Sequence, residues 1–86
     1  MHEYHIVESV IKQAAAAAEE REASRITRIR LAVGEMSGLE ESSIRLYFEE
    51  ISKGTLAEGA ELVVNSAKDG TEGARGLYIE DIEIEK

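Results

Sequence analysis

The stretch RITRIRLAVG, residues 25–34, decides the fold of this 86-residue chain. Ile29, Leu31 and Val33 alternate with Arg28, Arg30 and Ala32, so the segment predicts a β-strand with one apolar face. Gly34 ends the strand. In the segments before and after this strand, apolar residues recur at helical spacing instead. We therefore expect one helix before the strand and one after it.

The first helix is predicted over residues 4 to about 22, with Ile6, Val7, Val10, Ile11, Ala14, Ala17 and Ala18 on its apolar stripe. The second is predicted over residues 40 to about 52, with Ile44, Tyr47, Phe48 and Ile51 on its stripe. Ser37 and Glu40 have the spacing of a capping box, and Lys53-Gly54 is typical of a helix end.

Two further strands are predicted at residues 61–66 and 77–85, separated by an exposed loop at 67–76. The alternation slips between Ile79 and Ile82, which indicates a bulge near Glu80. We expect these two strands to pair as an antiparallel hairpin. The order α-β-α-β-β predicts an α+β fold with two helices packed on one face of a three-stranded mixed sheet. The strand order is left open.

Composition limits the classes of function. Residues 1–86 are expected to form a single domain in the cytoplasm, because no apolar run could cross a bilayer and no secretory signal is visible. The net charge of −8 disfavours nucleic acid and membrane as partners. We expect Arg21, Arg25, Arg28 and Arg30 to pair with carboxylates of the chain itself.

The chain opens Met1-His2-Glu3, a sequence that can chelate a metal ion through nitrogen atoms. The Met1 amine, the His2 amide nitrogen and the His2 imidazole can close two fused chelate rings, and the Glu3 amide can add a fourth nitrogen. Ni(II) and Cu(II) prefer such a planar nitrogen set. The nitrogens must lose protons to bind, so binding should strengthen as the pH rises. The alternative is a terminal His without a metal role.

The chain contains no Cys. This excludes disulfides, thiolate zinc sites, iron–sulfur clusters and a Cys nucleophile. It also lacks a nucleophile elbow and a glycine-rich phosphate loop, so we do not expect an enzyme.

Several segments together resemble the HypA family, the nickel metallochaperones of nickel–iron hydrogenase and, in some bacteria, urease maturation. These segments are Met1-His2-Glu3-Tyr4, Ile6-Val7, the strand ending at Gly34, Ser37-Gly38, Gly54–Leu62 and Leu77–Glu85. The resemblance covers residues 1 to about 66 and 77 to 85.

The resemblance implies that Ni(II) is bound at the amino terminus by Met1, His2 and Glu3, the last through its backbone nitrogen. Glu40 occupies the position of a family carboxylate near the nickel site, with helix capping as the alternative. His5 is a further candidate, as an axial ligand or an outer hydrogen-bonding group, with a solvated first-turn residue as the alternative.

Family members also carry a zinc module between the second and third strands, held by two Cys-x-x-Cys pairs. This chain has residues 67–76 there instead, so we expect no zinc; a natural short form and an engineered deletion both remain open. The resemblance implies Ni(II) delivery in hydrogenase maturation, with the nickel-insertion GTPase as partner and the hydrogenase large subunit as a second one. The protein would be a monomer or an edge-strand dimer. The alternative function is a metal-independent adaptor that retains the fold.

Overall fold

The computed structural model describes residues 2–34, 37–67 and 76–86, with His2 described by its backbone alone. The elements are α1 (His2–Glu20), β1 (Arg25–Gly34), α2 (Glu41–Ile51), β2 (Glu61–Ala67) and β3 (Leu77–Glu85). The predicted α+β class and element order are confirmed. Most of the predicted loop, residues 68–75, lies outside the described residues. Neither described helix is long and apolar enough to cross a bilayer.

β1 is the central strand of the sheet, whose order is β2-β1-β3. β2 pairs with it in parallel and β3 pairs with it in antiparallel. The predicted hairpin between the last two strands is therefore wrong, because both of them pair with β1. α2 connects β1 to β2, and a crossover helix of this kind allows strands that are consecutive in the chain to run parallel.

The predicted bulge near Glu80 is confirmed. Arg30 faces Asp81 and Leu31 faces Ile79, so Glu80 is left over between these two pairs. The extra residue restores the apolar alternation of β3 toward the helices.

A second bulge lies at Thr27, where the sequence pattern did not predict one. The register shifts between Ile26 and Arg28 on β1. Ile26 and Ile29, which are three positions apart, are both 0% exposed. The Ile26 N–H donates to the carbonyl of Leu56 at 2.8 Å, so the connector before β2 satisfies the backbone at the start of this bulge.

The hydrophobic core lies between the two helices and the inner face of the sheet. Ile29 is at its centre, in register with Leu62 on β2 and Ile82 on β3. The predicted stripes of both helices contribute to it. The buried members of the core are Val7, Val10, Ile11, Ala14, Ala18, Ile26, Ile29, Leu31, Ile44, Phe48, Ala57 and Leu62.

α1 ends at Glu20, earlier than the predicted limit of about 22. The Ala23 N–H donates to the Ala18 carbonyl at 3.0 Å, and the Glu22 N–H donates to the Glu19 carbonyl at 3.0 Å. These two bonds form a Schellman motif. Glu22 has a φ of 58°, so a non-glycine residue occupies the left-handed position that ends the helix.

The capping box predicted for α2 is wrong. Glu40 is itself the N-cap, with φ −102° and ψ 137°, and its side chain makes no capping hydrogen bond. The Ser37 hydroxyl accepts a hydrogen bond from the Leu39 N–H at 3.1 Å instead. α2 ends at Ile51, and Gly54 follows with a φ of 79°.

The outer face of the sheet carries ion pairs between strands. Arg28 on β1 donates to Glu61 on β2 and to Glu83 on β3, each at 2.8 Å. The hydrogen bond to Glu61 and the charges of both carboxylates raise the pKa of Arg28 above its ordinary value. Arg25 also pairs with Glu85 and Arg30 with Asp81. The predicted pairing therefore holds for these arginines, whereas no ion pair of Arg21 is seen within residues 2–34, 37–67 and 76–86.

Replacing Glu22 by Gly should stabilise the protein, because glycine adopts a positive φ without steric strain. We expect a gain of about 1 kcal/mol in the free energy of unfolding. Denaturant unfolding followed by circular dichroism measures it. Glu19→Gly is the matched control, since glycine inside the helix should lower stability by about 1 kcal/mol. A loss of stability in Glu22→Gly would contradict the strain at this position.

Candidate metal site

The backbone is helical from His2, two residues before the predicted start of the helix. The first N–H groups of a helix have no carbonyl one turn earlier to bond. The amide nitrogens of His2 and Glu3 are thus not used by the hydrogen bonds of α1. Met1 and the His2 side chain lie outside what the structure describes, so their ligand roles remain predictions.

Glu3 and His5 lie in the first turn of α1. Glu3 is half-buried, whereas the His5 side chain is 76% exposed. His5 Nδ1 is 3.8 Å from Glu8 Oε1, which is too long for a hydrogen bond. The Tyr4 ring lies edge-on to the imidazole, with ring centroids 5.7 Å apart. His5 is therefore a surface imidazole that its neighbours leave open to solvent.

Glu40 is exposed at the amino-terminal end of α2. Its backbone occupies the N-cap position, but its carboxylate makes no capping hydrogen bond. No hydrogen bond or ion pair joins Glu40 to Glu3 or His5 among the residues described. Within the same ranges no group of three or more His, Asp or Glu side chains is arranged to hold a metal ion. The side chains described at this end of the molecule therefore do not form a metal site by themselves.

Tyr47 lies next to the first turn of α1, a position that the sequence pattern did not predict. The sequence pattern placed it on the apolar stripe of α2. In the structure the rings of Tyr4 and Tyr47 meet edge-on, with centroids 5.8 Å apart and an interplanar angle of 80°. α2 therefore contacts the first turn of α1. The sequence shows that both residues are aromatic, but it does not indicate that their rings are in contact.

Two shallow grooves flank the helices. One of about 280 Å³ is lined by His5, Ile6, Ser9, Val10, Gln13 and Leu77. A larger one of about 540 Å³ is formed by α2, β2 and the connector between them, and includes none of the predicted ligands. Of these two grooves, the smaller one borders the candidate metal site, through His5.

Comparison with known proteins supports the family resemblance. The family model described as hydrogenase/urease nickel incorporation metallochaperone, HypA, matches residues 1–75. The hydrogenase maturation factor HypA of Xanthobacter autotrophicus is 45% identical over 64 residues, which cover 74% of this chain and 57% of that protein. The corresponding protein of Azorhizobium caulinodans is 47% identical over the same shares. The chain thus spans little more than half the length of these curated relatives.

Two solved structures have the same fold. The solution structure of the Ni metallochaperone HypA from Helicobacter pylori has a TM-score of 0.85 at 18% identity, covering 96% of this chain and 97% of that one. A second HypA solution structure has a TM-score of 0.77 at 21% identity, covering 98% and 96%. With the sequence match over residues 1–75, the chain belongs to the HypA family of hydrogenase/urease nickel-incorporation metallochaperones.

Proposed function

We propose that this protein carries Ni(II) as cargo for hydrogenase maturation and holds it at the amino-terminal end of α1. The ligands are the Met1 amine, the His2 amide and imidazole nitrogens, and the Glu3 amide nitrogen. The observation that carries the proposal is the start of α1 at His2, which leaves these amides outside the hydrogen bonds of the helix. Nickel can replace their protons without breaking the helix.

The helical backbone also suits chelation. A five-membered chelate ring through two successive nitrogens requires a small torsion about the bond between Cα and the carbonyl carbon. Helical residues have ψ of about −42°, whereas extended residues have ψ of about +135°. The helical start therefore holds successive nitrogens on one side of the chain, close to the arrangement that a metal ion needs.

The partial charge at the start of a helix also affects the binding of a cation. A helix amino terminus carries partial positive charge, which opposes a cation. Loss of the two amide protons places negative charge on the ligands themselves, and this charge interacts favourably with the helix dipole. Nickel binding and proton release are therefore coupled at this site.

The surface position of the site fits a carrier. His5 and Tyr4 are exposed, and Val7 is the first fully buried residue of α1 among residues 3–7. An acceptor protein could reach the metal without opening the core. We propose the nickel-insertion GTPase of hydrogenase maturation as that acceptor, with the hydrogenase large subunit as a second partner, and the cytoplasm as the compartment.

Zinc binding in the family depends on Cys residues. The chain has no Cys, so we propose that it binds no zinc through thiolates. We propose that residues 67–76 take the place of the zinc module within one domain of residues 1–86. Nickel binding at α1 requires none of the residues of that segment.

Blocking the terminal amine should abolish tight nickel binding, because the free amine of Met1 is one of the proposed ligands. We expect one extra residue before Met1, or acetylation of Met1, to weaken nickel binding. His2→Ala should weaken it by more than about a hundredfold, beyond what outer-shell groups contribute. Calorimetric titration with Ni(II) measures both effects. Unchanged affinity in these variants would favour the metal-independent adaptor, whose surface carboxylates bind nickel diffusely.

Nickel affinity should rise with pH, since each nitrogen ligand must release its proton before it binds. The measurement is a series of nickel titrations between weakly acidic and weakly alkaline buffer. The planar nitrogen complex should be yellow and diamagnetic. A green paramagnetic complex with little dependence on pH would instead indicate oxygen ligands and water.

Glu40 and His5 are proposed as accessory groups outside the planar nitrogen set. Glu40→Gln and His5→Ala should each weaken nickel binding by no more than about tenfold, the lower range for outer-shell partners. Glu40→Gln should also leave the free energy of unfolding within about 0.5 kcal/mol, because no side-chain capping hydrogen bond is lost. A loss as large as that of His2→Ala would make either residue a primary ligand.

A further inference from the structure

We propose that Tyr47 is a positioning residue for the nickel site, acting through the ring of Tyr4. This inference rests on the proposed function and extends it to α2, on which no primary ligand lies. The two rings form an edge-to-face pair, with centroids 5.8 Å apart and planes at 80°. We call this pair the aromatic brace.

The brace joins a fixed element to an exposed one. On α2, Ile44 and Phe48 lie on the same stripe as Tyr47 and are 0% and 6% exposed, so the core holds this helix in place. Tyr4 is in the first turn of α1 and is 37% exposed. The brace therefore ties the start of α1 to the body of the protein.

The first turn of α1 has few other means of support. The ends of helices fray, and most helical stability in proteins comes from the packing of an apolar face. Val7 is the first residue of α1 that is fully buried among residues 3–7. The His5 side chain is exposed and makes no hydrogen bond within the described ranges. The contact of Tyr4 with Tyr47 is thus a tertiary contact within the first turn, next to the proposed nitrogen ligands.

The brace should act on affinity and leave the ligands unchanged. If the amides of His2 and Glu3 are already in helical geometry, nickel can bind without first ordering this turn. When the competent conformation is only partly populated, the apparent affinity falls by that fraction. An aromatic pair of this geometry changes such a population by about three- to tenfold.

The test compares Tyr47→Ala with Tyr47→Phe in nickel titrations of the full chain. Tyr47→Phe keeps the ring, so it should retain the affinity, while Tyr47→Ala should weaken it by about three- to tenfold. Leu46→Ala is the matched control: this neighbour on α2 is 60% exposed, so its removal perturbs the same helix outside the brace. At saturating nickel the absorption spectrum should be the same in all variants, because the ligands do not change.

Equal affinity in Tyr47→Ala and the unaltered protein would overturn the proposal, and so would an equal loss in Leu46→Ala. If Tyr47→Ala does not fold, Tyr4→Leu removes the other ring and keeps apolar bulk on the helix. It should then show the same three- to tenfold loss. Unchanged affinity in Tyr4→Leu would overturn the proposal equally.

A second readout separates this inference from the nickel proposal itself. The Cα chemical shifts of Glu3 and Tyr4, measured without nickel, should be helical in the unaltered protein and in Tyr47→Phe, and move toward coil values in Tyr47→Ala. If nickel binding proves independent of His2, the proposed function fails, and these shifts still report whether the brace orders the turn. Helical shifts in Tyr47→Ala would overturn the brace whatever the nickel result.

Discussion

The register of β1 is the constraint on which the rest of the structure depends. Ile29 lies between Leu62 and Ile82 on the inner face, while Arg28 and Arg30 point to the outer one. Because side chains alternate along a strand, a slip of one residue would exchange these faces. It would place guanidinium groups among the apolar residues of the helices, at a cost of several kcal/mol for each buried ion. The pairing is therefore strongly specified on both edges of β1.

The two bulges show how far such a register can be read from local sequence. At Ile79–Ile82 the alternation slips by one residue, and the bulge expected from that slip is found at Glu80. Ile26–Ile29 carries the same signal on β1, with apolar residues three positions apart. The alternation of Ile29, Leu31 and Val33 alone does not indicate the bulge at Thr27. The pattern was present in the sequence, and its recognition required treating Ile26 as a core residue.

Other features depend on tertiary structure, which local patterns do not report. Strand order is one, since the hairpin predicted for the last two strands ignored the crossover that α2 makes between β1 and β2. The capping box is another. Ser37 and Glu40 have the right spacing, but the chain turns into α2 at Glu40, which makes this residue the N-cap. The proposed nickel ligands remain a prediction from the residue types at the chain start, whereas the contact of Tyr47 with Tyr4 is known only from the packing of α1 on α2.

The proposed site lies at the start of α1, before Val7, the first buried residue among residues 3–7, and this position suits a carrier. Removing a buried aliphatic residue of α1, such as Ile11, would destabilise the protein by about 2–5 kcal/mol. The contact between Tyr4 and Tyr47 contributes only about 0.5–1.5 kcal/mol beyond the area it buries. At the proposed site, loss of the amide protons and binding of Ni(II) would therefore leave the core intact. If the amides bind nickel as proposed, they must regain their protons when nickel leaves. An acceptor that supplies both protons and competing ligands would then remove the metal without unfolding its carrier.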